Sequence, residues 1–427
     1  MPIDSGDVAW VIAATTLVML MTPALGFFYG GLVGRKNLVA LLAQCMAIFS
    51  IISLIWALWG YSITFGPSWH GIIGSLSKVG LNGVGATPNP MYSSAIPELL
   101  YFAFQLKFAA ITPALIIGAF AGRARLKPLL VFVVLWVTLI YAPIASWIWN
   151  PGGWLNVGHL GVLDFAGGLV VHTSAGVSAL AAALVIGPRT AAEMKEARPN
   201  NVPYVILGTA LLWFGWFGFN AGSALAANAV AVNALVVTNL AAAAAGITWM
   251  IIEWWKKGHP SAVGMCVGAV CGLAAVTPAS GYVGPLGSLV IGVGAGTFCY
   301  FVANWRARSR LDDSLDVFAC HGIGGMWGTL ATGLFASSVI NAAATGHNGL
   351  FFGDPHQVLV QLVGIAVVAS YCFVGSYVIL RILNFFMPLR VGPTAEAQGL
   401  DLAEFGEAAY DPGGPVGPAA GGGTGPG

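Results

Sequence analysis

The stretches DFAGGLVVHTSAG (164–176) and DVFACHGIGGMWG (316–328) decide how the chain is read. Each sets one histidine, His172 or His321, deep in a long apolar run, and each reaches it through a similar lead-in. A titratable side chain in a lipid-spanning segment costs free energy unless it meets a partner or lines a cavity. Two such residues in corresponding halves of one chain point to a polar pair along a transport path.

Working outward, the rest of the chain is equally apolar. It has 427 residues, 57% of them hydrophobic and 8% charged. A soluble protein carries roughly 25% charged residues. Apolar runs long enough to cross a bilayer core of about 30 Å recur from end to end. The 58 glycines suit close helix packing in lipid. The net charge of +1 gives no reason to expect nucleic acid as a partner. The fold class expected is an all-α polytopic membrane protein. Eleven spans are expected, at 8–32, 38–65, 98–122, 129–149, 166–187, 203–223, 228–253, 261–277, 283–303, 316–336 and 357–384.

The cationic residues follow alternate spans. Arg35 and Lys36 follow the first, and Arg123, Arg125 and Lys127 the third. Arg189, Lys195 and Arg198 follow the fifth, Lys256 and Lys257 the seventh, and Arg306, Arg308 and Arg310 the ninth. Arg381 and Arg390 close the eleventh, and the opposite loops hold only Lys78. The positive-inside rule then predicts an outer N-terminus and a cytoplasmic C-terminus. The acidic start MPIDSGDVAW has no basic segment of a secretory signal.

Span one carries LGFFYGG (25–31), span six FGWFGFNAG (214–222), and spans five and ten the histidines. Counting in fives pairs one with six and five with ten. An odd span number forces the halves to enter from opposite sides, so a 5+5 inverted repeat plus one span is expected. Residues 1–388 form the transmembrane domain, and 389–427 a cytoplasmic tail. DPGGPVGPAAGGGTGPG (411–427) is too poor in apolar residues to pack and reads as disordered. The chain carries no soluble catalytic domain, and an enzyme is not expected.

Several long motifs in order resemble the Amt/MEP/Rh ammonium transporters, specifically the bacterial Amt branch. They are GFFYGGLV, DFAGGLVVHTSAG, GWFGFNAGSAL (215–225), DVFACHGIGG and GLDLAEFGEAAY (399–410). The resemblance implies an outer ammonium site of Trp149, Phe108 and Ser223, with Phe104 lining the same vestibule. It implies a gate of stacked Phe108 and Phe219, a narrow pore lined by His172 and His321, and a structural acid at Asp164. It further implies a homotrimer in the bacterial inner membrane, methylammonium as a possible second substrate, no cofactor, and a PII-type regulator meeting the tail.

Physical chemistry bears on each of these. Aromatic faces attract a small cation once water is partly removed, and Ser223 can accept a hydrogen bond from it. Potassium benefits from such faces as well, so selectivity must arise further in. A dry pore lowers the proton affinity of ammonium, as it does for a buried lysine, and potassium has no proton to lose. A neutral imidazole has one donor and one acceptor nitrogen, which suits it to carry the released proton. Asp164 stands eight residues before His172, about 12 Å along a helix, too far for direct pairing. It reads as a helix cap that favours positive charge in the vestibule.

Plainer readings stand beside these. A tryptophan at a span end is ordinarily an interfacial residue. A lone membrane histidine is often a packing residue. A metal site needs three or four ligands, and none is spaced around the histidine pair. The six cysteines (45, 266, 271, 299, 320 and 372) all fall in apolar spans and read as small buried side chains. Lys107, inside span three, costs about 2.5–3.5 kcal/mol on insertion scales and should point away from the pore. Gly122 and Phe405 depart from the family pattern, at sites where a regulator would dock. A neutral ammonia channel of the Rh kind and an ammonium sensor acting through a bound partner are the alternatives to a transporter.

Overall fold

The computed structural model describes residues 3–190, 193–194 and 198–410. The chain from 411 onward, expected to be disordered, lies outside the described residues, as does Lys195.

A helix occupies each of the eleven expected stretches. These are α1 (Ser5–Leu32), α2 (Arg35–Phe65), α3 (Glu98–Phe120), α4 (Leu126–Trp149), α5 (Gly168–Ile186), α6 (Val202–Gly222) and α7 (Ala229–Lys257). They continue with α8 (Ala262–Val276), α9 (Pro285–Ala307), α10 (Phe318–Ile323 continued by Gly324–Phe335) and α11 (His356–Phe386). Among the described residues, nine of these are long and apolar enough to cross a membrane by length and composition. The other two, α8 and α10, are shorter or less apolar. Helices are the natural solution here, because lipid offers no partner for an open backbone N–H or C=O. Side chains cap several starts: Asp4 accepts from Asp7 N, Asn201 from Tyr204 N, Asn228 from Ala231 N and Ser261 from Gly264 N.

Matched features support the five-helix repeat. The helices α1 and α6 pack closely because glycines line the seam: a Cβ on Gly218 would stand 2.6 Å from Leu17 Cβ, and one on Gly222 would stand 2.6 Å from Ala14 Cβ. The helices α5 and α10 both open in a π-helical turn, Gly168–Thr173 and Phe318–Ile323, and each turn holds its histidine. Such widened turns recur at functional positions.

The long 66–97 connection is stapled rather than loose. A short hairpin pairs Ser68–Trp69 with Ile73–Gly74. The buried carboxylate of Glu98 then gathers three donors: Tyr61 OH at 2.9 Å, Lys78 Nζ at 2.6 Å and Asn89 Nδ2 at 3.1 Å. Lys78, the one cation that breaks the loop charge pattern, is thus neutralised. Lys107 sets its ammonium 5.1 Å from the ring centre of Phe49 on α2, one helix step away from the Phe108 side.

The first part of the tail folds back on the body as α12 (Pro393–Gln398) and α13 (Leu400–Phe405). Asp401 Oδ1 accepts from Ala40 N at 2.8 Å, so the tail caps the first turn of α2. Asn37 Oδ1 accepts from Leu400 N at 2.8 Å, and Glu404 Oε2 accepts from Leu126 N at 3.0 Å. Tyr410 donates to Asn200 Oδ1 at 2.8 Å while Arg35 lies over its ring. Phe405 packs into the small cluster of Ala40, Val391 and Leu400. Gly122 has φ of +80°, and a Cβ there would meet Asn37 Nδ2 at 2.9 Å, so a bulkier residue at this turn is strained.

Candidate functional site: an aromatic vestibule above a histidine pair

A cavity of about 180 Å³ opens where α3 begins and α4 and α6 end, on the face opposite the tail. Phe104, Phe108, Trp149 and Ser223 all line it, so the four residues named from sequence for the outer site converge there. The indole of Trp149 meets the Phe108 ring edge to face, with centroids 5.8 Å apart. Its Nε1–H donates to the Asp164 carbonyl at 2.9 Å, which fixes the ring. Ser223 donates its proton to the Phe219 carbonyl at 2.8 Å, leaving its oxygen lone pairs free to accept. The sequence reading did not name Tyr92, Tyr101 and Gln105, which line the same cavity. Gln105 stands one residue after Phe104, and Tyr101 one turn before it, so helical spacing held the signal.

Beneath the cavity the rings of Phe108 and Phe219 stack at 4.2 Å and 33°, closing the floor. Below them lies a passage of only about 10 Å³. That is room for about one water molecule. Leu25, Ile111, Val171, Leu212 and Trp216 wall it, with His172 and His321 as its polar members.

The two imidazoles face one another, Nδ1 to Nδ1, at 3.2 Å. One ring must donate there and the other accept, so in the neutral pair one Nδ1 carries the proton. Both residues are buried, and His172 Nε2 has no hydrogen-bond partner. His172 packs against two neighbouring rings, Trp216, with ring centres 5.3 Å apart at 23°, and Phe219, at 6.0 Å and 29°. Trp216 is held in turn by its Nε1–H donating to Thr277 Oγ1 at 2.9 Å. Trp216 was missed from sequence although it stands three residues before Phe219 on the same helix face.

Asp164 caps α5 with both oxygens. Oδ1 accepts from Gly167 N (2.8 Å) and Gly168 N (2.6 Å), and Oδ2 from Leu169 N (2.8 Å) and Val170 N (3.1 Å). Gly167 has φ of +113°, the left-handed turn that lets the backbone wrap the carboxylate. The quoted motifs open on Asp164 and Asp316, which invites pairing those two residues. The structure instead makes Asp313 the counterpart of Asp164. It stands eight residues before His321, as Asp164 stands eight before His172, and its Oδ2 accepts from Phe318 N at 2.7 Å. Asp316 turns away at φ of +56° and pairs with Arg306 at 2.8 Å.

On the tail side, a cavity of about 860 Å³ is lined by Arg189, Glu253, Lys257, Arg306, Asp312 and Asp316 among others. Its acids are engaged: Asp312 with Arg189 at 2.7 Å and Glu253 with Lys257 at 2.5 Å. Buried Arg123 ties this rim together by donating to the carbonyls of Gly187, Ala119 and Asp312. Among the described residues no cluster of three or more His, Cys, Asp or Glu side chains is arranged to hold a metal.

The chain matches the model of the Ammonium Transporter Family over residues 9–410. It is similar to ammonium transporter Amt1 of Archaeoglobus fulgidus, 45% identical over 95% of this chain and 100% of that protein. It shares 45% identity with the ammonium transporter of Bacillus subtilis, over 95% of this chain and 98% of that one. Among solved structures, Mep2 of Saccharomyces cerevisiae superposes with a TM-score of 0.85 at 37% identity, covering 92% of this chain and 88% of that one. A sensor Amt protein does so with 0.85 at 30%, covering 94% and 98%. A helical, multi-pass membrane architecture, the aromatic vestibule over a histidine pair, and a family match across nearly the whole length agree: the chain belongs to the Ammonium Transporter Family.

Proposed function

We propose that this protein carries ammonium across a bacterial inner membrane as ammonia plus a relayed proton. The cation enters the outer cavity, where Phe104, Phe108 and Trp149 offer ring faces and Ser223 an acceptor. It gives up its proton on entering the apolar passage, because charge is costly there. Ammonia passes the Phe108–Phe219 gate, and His172 and His321 hand the proton on by exchanging donor and acceptor roles. Asp164 holds the outer end of the relay helix and favours positive charge above it. The observation that carries the reading is the 3.2 Å contact between two imidazoles in a passage wide enough for about one water. On this reading the protein is a carrier and not an enzyme, and methylammonium is a second substrate.

The loop charges support a cytoplasmic tail and an outer N-terminus. The domain division follows, with residues 1–388 in the membrane and 389–427 as the tail. The working unit is a homotrimer, one pore per subunit. A PII-type regulator would meet a tail already docked on the chain's own loops, with Phe405 turned into the body. A C-terminal reporter active only outside the cell would overturn the orientation. The transport reading is tested by recording current from reconstituted protein given ammonium or potassium. Ammonium current without potassium current supports it, while ammonia flux without charge movement indicates a neutral channel. The likeness to a sensor Amt protein favours a second reading, in which the fold reports ammonium to a bound partner. Silence in both recordings, with retained ammonium binding, would point there.

A further inference from the structure

The two histidine helices are capped alike but not equally. Asp164 meets four backbone N–H groups. Asp313 is fully buried, its Oδ2 accepts from Phe318 N, and its Oδ1 has no partner. The residues on either side of it, Asp312, Ser314, Leu315 and Asp316, line the large tail-side cavity, so Asp313 sits one layer behind that surface. The groups facing it are few. Asp316 and Asp312 come from its own loop, Arg306 from the end of α9, Arg123 from the turn after α3, Tyr29 from α1 and Cys320 from the first turn of α10. Arg306 is claimed by Asp316, Asp312 is claimed by Arg189, Arg123 gives its N–H groups to Ser314 and to the carbonyls of Gly187, Ala119 and Asp312, and the Tyr29 hydroxyl donates to the Leu115 carbonyl at 3.0 Å. The Asp313 charge is therefore left partly uncompensated, at the foot of the helix that carries His321.

We infer that Asp313 is a positioning residue for His321, whose carboxylate makes the protonated imidazole accessible and ties transport to the pH on the tail side. The inference rests on the proton-relay reading given above. The carboxylate at the Phe318 N–H and the His321 ring are on the order of 10 Å apart, allowing three residues of helical rise plus the side chains. At an effective dielectric of about 20, a unit charge at that distance changes the proton affinity of the ring by roughly tenfold. Burial first, and the neighbouring Asp316 next, push the Asp313 carboxyl up to about 6, against the lowering pull of the Phe318 N–H, Arg306 and the Val317 N–H. Its charge is thus present at neutral pH and is lost as the tail-side pH falls through that value. Asp164, with four donors spread over both oxygens, has no such uncompensated oxygen on the other face.

The test compares ammonium currents of the wild type and Asp313→Asn in reconstituted full-length protein, with tail-side pH varied from 5 to 8 and the opposite side fixed. Asparagine keeps an acceptor for the Phe318 N–H and removes the charge, so a merely structural cap leaves the ratio flat. The expected ratio of wild type to variant is about tenfold at pH 7.5, closing toward one below pH 5, with its midpoint near 6. A ratio constant across the range overturns the inference. Should Asp313→Asn fail to fold, Asp316→Asn serves. The midpoint is then read from the tail-side pH profile of the current itself: removing the like charge is expected to move it below that of the wild type, and an unmoved midpoint overturns the inference equally. The apolar double variant of His172 and His321 separates the two levels. Full current in that variant defeats the relay itself, whereas its loss together with a flat Asp313→Asn ratio defeats only the role of Asp313.

Discussion

Gly176 on α5 rests directly on the main chain of Gly322 on α10, with no side chain between them. This contact brings the two π-helical turns together and sets the imidazoles of His172 and His321 within hydrogen-bonding distance. A methyl group on Gly176 would overlap the Gly322 backbone. Gly176→Ala is expected to cost about 1–3 kcal/mol, as overpacking does in well-packed interiors. It should also part the histidines and reduce ammonium current more than the stability loss accounts for. Thermal unfolding in detergent together with current per correctly folded protein checks both; unaltered current in a stable variant would mean the contact does not set the pair.

Of the aromatic side chains lining the vestibule, Trp149 is of the type whose face attracts a cation most strongly. Trp149→Leu removes that face while keeping an apolar filler. The expected loss is about 0.5–2 kcal/mol, between roughly twofold and thirtyfold in half-saturating ammonium. Discrimination against large competing cations should loosen with it. Concentration dependence of the transport current measures this, and an unchanged half-saturation would remove Trp149 from the capture site.

On the proposed relay, substitutions at the histidine pair should separate charge movement from permeation. His172→Asp brings a carboxylate into the passage, draws in water and should let a hydrated cation cross intact. Potassium current, absent in the wild type on this reading, is then expected. The double variant with apolar residues at 172 and 321 keeps the passage dry but has no relay, so ammonium current should fall near background. Paired recordings in ammonium and potassium decide between these outcomes.

The tail caps α2 through the Asp401 carboxylate. Asp401→Ala leaves Ala40 N without that acceptor, at a cost of about 1 kcal/mol, similar to the loss of a helix cap. The docked segment should then detach more often, and limited proteolysis between 389 and 410 should speed up by about fivefold. Equal cleavage in both proteins would mean that the other tail contacts suffice to hold it.

Composition and the spacing of apolar runs determined the fold class by themselves, because a chain 57% hydrophobic and 8% charged has few stable arrangements other than spanning helices. Local sequence also marked His172, His321 and the aromatic residues of the vestibule, since polar and aromatic groups stand out against an apolar background. What only the tertiary structure decided were the pairings between distant segments. Lys107 found Phe49 and Lys78 found Glu98, contacts that no local spacing encodes. Asp313, and not Asp316, proved to be the counterpart of Asp164, because the turn at Asp316 sends that side chain to Arg306. The docked tail is of the same kind: α12 and α13 are short and carry little periodic signal, and their position depends on backbone groups of α2 and α4 left open at the membrane's edge. A pattern along the chain records which face of a helix is apolar, whereas the partner of a polar group depends on where the chain returns.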